Sequence, residues 1–88
     1  MELGETTMAA IARVGDNDSR GDPIVVGSPT VFCNRLAVAR VGDIDSHPDA
    51  SIGGSSTVFV NRIPVYRVGD SDTRGDTQVA GSPDCSAG

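Results

Sequence analysis

The sequence predicts an all-β domain built from three β-hairpin repeats related by a pseudo-threefold axis. Three observations carry that expectation. Arg-Val-Gly-Asp occurs at residues 13–16, 40–43 and 67–70, a constant period of 27 residues. Runs rich in β-branched residues are joined by two-residue Asn-Arg links, the pattern of a short hairpin. Eleven Gly and five Pro stand at the ends of these runs and exclude a helix of useful length.

The repeat extends well beyond its signature block. Gly27-Ser28-Pro29 aligns with Gly54-Ser55-Ser56 and Gly81-Ser82-Pro83, Thr30-Val31-Phe32 with Thr57-Val58-Phe59, and Asn34-Arg35 with Asn61-Arg62. No insertion interrupts the register. Within each unit, residues 30–33 and 57–60 predict one strand, and 36–41 and 63–68 predict its partner. Asn34-Arg35 and Asn61-Arg62 close the two hairpins, Asn tolerating positive φ better than Arg does. A further short strand is expected over residues 24–26. Repeats can stack as an open solenoid or close into a ring. Three copies, with the third stopping at its own hairpin, favour closure. The position shared by Val31, Val58 and Cys85 is expected to face the common core. Phe32 and Phe59 alternate to the opposite side.

Composition narrows the function. With 88 residues there is room for one domain, over residues 8–88, preceded by a disordered or extended tail over 1–7. So short a chain with no Trp has a marginal core and calls for a staple: a metal, a disulfide or a partner surface. The net charge of −5 and the dispersed arginines argue against nucleic acid. All seven basic residues are Arg, whose planar fork suits bidentate pairing with Asp. Arg13, Arg40 and Arg67 are expected to hold the loops in this way. The first residues lack the features of a signal peptide, and no apolar run is long enough to cross a bilayer. A cytosolic origin follows, unless other machinery exports the chain. In that setting Cys33 and Cys85 are expected as free thiols or metal ligands rather than a bridge.

With these blocks set out, the chain resembles the PAAR-repeat spike-tip family. Ala10-Ile11-Ala12-Arg13, Ala37-Val38-Ala39-Arg40 and Pro64-Val65-Tyr66-Arg67 occupy the place of that family's Pro-Ala-Ala-Arg signature. The resemblance runs from about Met8 to Gly88. It implies a small cone whose base sits on a homotrimeric β-helical spike, one copy per trimer. The setting is a phage tail baseplate or a type VI secretion system assembled from the bacterial cytoplasm, and the target is a bacterial envelope. It also implies a metal at the apex, commonly zinc, held by His and Cys. This chain looks like a bare tip without a fused toxin. It departs from the pattern at the metal positions, where Arg20-Gly21-Asp22, His47-Pro48-Asp49 and Arg74-Gly75-Asp76 stand.

The candidate sites follow from these readings. His47 and Cys85 are the best ligand pair for one zinc or iron ion, which needs further ligands for a tetrahedral site. The plainer alternative makes His47 a loop residue and both cysteines core fillers. Phe32 and Phe59 are the candidate contacts to the partner. Residues 16–22 resemble a calcium loop in part, with oxygen donors at the first and third places and Gly at the sixth. The terminal Glu is missing, and capping of turns by Asp explains the loop better. No nucleophile, base and acid arrangement is visible, so an enzyme is not expected. The leading function is a structural tip that sharpens a piercing spike. The alternative is a free-standing β-repeat binding module, a calcium-dependent adhesin or secreted cargo.

Overall fold

A computed structural model describes residues 8–88 and holds six two-residue strands and no helix. They are β1 (Ala9–Ala10), β2 (Phe32–Cys33), β3 (Leu36–Ala37), β4 (Phe59–Val60), β5 (Ile63–Pro64) and β6 (Ser86–Ala87). The tail expected over residues 1–7 lies outside the described residues.

β2 pairs with β3 and β4 with β5, antiparallel, as the two expected hairpins. Asn34 and Arg35 have φ of 55° and 68°, and Asn61 and Arg62 have 54° and 68°. Positive φ at both central residues makes these type I′ turns, whose twist matches that of the flanking strands. The third hairpin is assembled from β1 and β6, strands far apart in the sequence. β1 pairs with β6, Ala10 opposite Ser86 and Ala9 opposite Ala87. One repeat period relates this register to Phe32 opposite Ala37 and Cys33 opposite Leu36.

Closure is completed by a ring of backbone hydrogen bonds. The N–H of Ala12 donates to the Tyr66 carbonyl (2.9 Å), that of Ala39 to Ala12 (2.9 Å), and that of Tyr66 to Ala39 (3.0 Å). Three equivalent residues thus form a cyclic chain of bonds in which unit one touches both unit two and unit three. An open solenoid would leave one of these N–H groups and one carbonyl unpaired.

The strands are shorter than the sequence suggests for a reason visible in the pairing. After Ala37 the chain leaves its own hairpin partner, and Val38 bridges to Arg13 while Arg40 bridges to Val65. The run over 36–41 is therefore split between an intra-unit hairpin and inter-unit bridges. The strand expected over residues 24–26 is reduced to a single bridge from Ile24 to Asp45. Beyond it the N–H groups of Val25 and Val26 share one carbonyl, that of Ile44.

Alternation along the ring segments produces two small cores. Val38 and Val65 pack with Cys33, Val60 and Ala87 from the hairpins, while Ala12, Ala39 and Tyr66 pack with Ile24 from the loops. Val58 and Cys85 lie against the hairpin core as expected, but Val31 is 37% exposed. Cys33, Val60 and Ala87, two residues further on, are the buried set. The hairpins thus occupy one side of the ring, and the loops following each Arg-Val-Gly-Asp block occupy the other.

Candidate functional site

Each loop is anchored by its arginine. Arg13 donates from Nε to Asp16 Oδ2 (2.9 Å) and from Nη2 to Oδ1 (3.0 Å). Arg40 does the same to Asp43 (3.0 and 3.1 Å) and Arg67 to Asp70 (2.9 and 2.9 Å). Each arginine's backbone N–H also donates to the same carboxylate. The side-chain bonds to Asp16 and Asp70 push Arg13 and Arg67 above the ordinary arginine pKa, against the cost of burial. The expected bidentate pairing is thus made within each unit, and it fixes where the following residues go.

Two residues beyond each clamp stands a buried aspartate. Asp18 Oδ1 accepts the backbone N–H groups of Arg20 and Asp22. Asp45 accepts those of His47 and Asp49, and Asp72 those of Arg74 and Asp76. These bonds curl the loops so that all three carboxylates converge. A second tier, Asp22, Asp49 and Asp76, lies beside them. Oxygens of Asp18, Asp72 and Asp76, of Asp18, Asp22 and Asp45, and of Asp45, Asp49 and Asp72 each fall within 4.8 Å of one another. Burial, with the like charges of Asp76 and Asp18, pushes the Asp72 carboxyl above the usual range, although backbone N–H bonds oppose this. Burial also raises Asp18, but the N–H groups of Asp22 and Arg20 and contacts to Asp45 and Asp72 outweigh it.

The outer tier is tied across units. Arg20 reaches Asp76 (3.8 Å) and its own Asp22 (3.5 Å), and Arg74 reaches Asp49 (3.7 Å) and its own Asp76 (3.6 Å). His47 Nδ1 stands 3.1 Å from Asp22. The three equivalent residues therefore each bridge to the preceding loop, closing this end of the ring.

The predicted pair His47 and Cys85 is not brought together. Cys85 is joined to Cys33 by a disulfide, which corrects the expectation of free thiols. Its sulfur offers no thiolate, and neither His47 nor Cys85 belongs to any of the clustered donor sets. A tetrahedral zinc held by His and Cys does not fit the described residues: two of the three equivalent positions carry guanidinium groups, and the only imidazole faces a carboxylate. The needed staple is a disulfide instead. Sequence reasoning missed the converging aspartates, yet a signal was present. Asp18, Asp45 and Asp72, and likewise Asp22, Asp49 and Asp76, recur at the repeat period in every copy.

The opposite end of the ring carries the predicted contact residues. Phe32 and Phe59 occupy equivalent places on two hairpins and are 56% and 55% exposed. Ser86 takes the third place. The hairpin turns are braced within each repeat, with Arg13 Nη1 donating to Asn34 (3.0 Å) and Arg40 Nη1 to Asn61 (3.2 Å). Ser82 and Ser28 donate to the same two Asn side chains (2.5 and 2.6 Å). Ser55 bonds to the Gly88 carbonyl in the equivalent manner.

A family model, the PAAR motif, matches residues 14–80 and so spans most of the ring. The chain belongs to the PAAR-motif family. Among curated proteins no match is found. The PAAR motif is associated with spike-tip proteins of contractile injection systems. The threefold ring and the small all-β fold agree with that membership.

Proposed function

We propose that this PAAR protein is the tip of a membrane-piercing spike and caps a homotrimeric β-helical partner at one copy per trimer. The observation that carries this reading is the closed hydrogen-bond ring of Ala12, Ala39 and Tyr66. It makes one chain present three near-equivalent hairpins around one axis, which is what three identical subunits require of a single cap. A trimer's end leaves strand edges and apolar surface exposed, and a matched cap covers them. Exposed Phe32 and Phe59 at the hairpin end are suited to anchor that contact. The role is structural, in a phage tail baseplate or a bacterial secretion apparatus, and the target is a bacterial envelope.

Co-expression with the spike protein tests the reading. Wild-type protein co-purifies with the trimer, and the double substitution Phe32→Asp, Phe59→Asp abolishes co-purification while leaving the isolated tip folded. Undiminished binding by the double variant would place the contact elsewhere. A wild-type chain that never engages a trimer would favour a free-standing binding module.

A further inference from the structure

We propose that the loop end of the ring binds one hard divalent cation of the calcium class. Asp18, Asp45 and Asp72 would hold it on the pseudo-threefold axis, with Asp22, Asp49 and Asp76 as an outer tier.

The first observation is the convergence itself. Each of the three sets joins two inner carboxylates to one outer one, with oxygens within 4.8 Å of one another, and together the sets link all three inner residues pairwise. Oxygens on opposite sides of a calcium ion stand roughly 4.8 Å apart, twice a bond of about 2.4 Å, so oxygens no farther apart than that can share one ion. All are carboxylate oxygens, which selects hard cations over zinc or iron.

The second observation is independent of the clustering. Asp18 and Asp72 are each only 3% exposed, yet the Oδ2 atom of each is shielded from solvent and has no hydrogen-bond partner. Their Oδ1 atoms are already occupied by backbone N–H groups. The Oδ2 atoms of Asp22, Asp49 and Asp76 are likewise without a hydrogen bond. A buried carboxylate oxygen without a partner is costly, and such groups are normally found coordinating a metal or paired with a cation.

Pairing does not satisfy the inner tier. Arg20, Arg74 and His47 face the outer aspartates, and no ion pair to Asp18, Asp45 or Asp72 is present among the described residues. Two guanidinium groups and one imidazole leave six carboxylates well short of neutrality. A divalent ion supplies two of the missing charges at the one place no side chain does. Beside the triad lies a cavity with room for about one water-sized sphere, lined by Asp45, Asp49, Asp72 and Tyr66 among others. Tyr66 is the chain's only tyrosine, and there is no Trp.

That tyrosine makes the site testable on the full chain. Terbium, a luminescent stand-in for calcium, should bind after chelator treatment and emit on excitation of Tyr66, and added calcium should quench the emission by displacing it. Calcium alone should raise Tm by roughly 10–20 °C at a hundredfold excess over Kd, with one equivalent retained by metal analysis. Asp45→Asn with Asp72→Asn should lose both responses. If that variant does not fold, Tyr66→Phe still decides: it should lose terbium emission and keep the calcium-dependent rise in Tm. Wild-type protein whose Tm ignores calcium and magnesium, and which gives no sensitised emission, would mean that the carboxyls share protons instead. A response to zinc alone would equally overturn the proposal.

Discussion

Cys33 of the first hairpin is bonded to Cys85 beside the last strand, so the covalent link lies across the seam where the chain ends meet. The other two junctions of the ring are continuous chain. The third rests on β1–β6 pairing and on the ring hydrogen bonds, and the disulfide adds a link between the first and third units there. The bridge closes a loop of 52 residues.

Removing that link should therefore open the seam. Cross-linking over such a loop stabilises by about 2–4 kcal/mol. The variant Cys33→Ala, Cys85→Ala is expected to unfold at lower denaturant by about that amount. Matching denaturant midpoints for oxidised wild type and the variant would show that the seam holds without it.

The Arg–Asp clamps carry a different expectation. Arg40→Lys keeps the charge but cannot make the two parallel bonds that Arg40 makes to Asp43. The pair is largely buried, so solvent screens it little. A loss of about 1–2 kcal/mol is expected, lowering Tm by roughly 4–8 °C per kcal/mol for a domain of this size. Thermal melts of the two proteins check it, and coincident curves would deny the clamp its role.

How much of this was legible in the sequence differs by level. The all-β fold and its closure follow from the undisturbed repeat, because equal units at equal spacing can satisfy one another around an axis. The two-residue hairpin links at Asn34-Arg35 and Asn61-Arg62 were readable from local chemistry, although Arg fits the positive φ of a type I′ turn poorly. The disulfide was not, since Cys33 and Cys85 occupy non-equivalent places in the repeat and meet only once the ring closes. Strand lengths were overestimated because Val38 and Arg40 change partners mid-run, a tertiary event with no local signature. The aspartate cluster lay between these cases. Reading the loop over residues 16–22 alone pointed to turn capping, whereas overlaying all three loops would have shown carboxylates converging from each.

Native mass measurement of the complex between this protein and a trimeric β-helical spike decides whether one closed chain caps three subunits. One copy of the 9.0 kDa chain is expected per spike trimer. Three copies per trimer would contradict it, because each subunit would then carry its own tip and the threefold ring within one chain would serve no docking purpose.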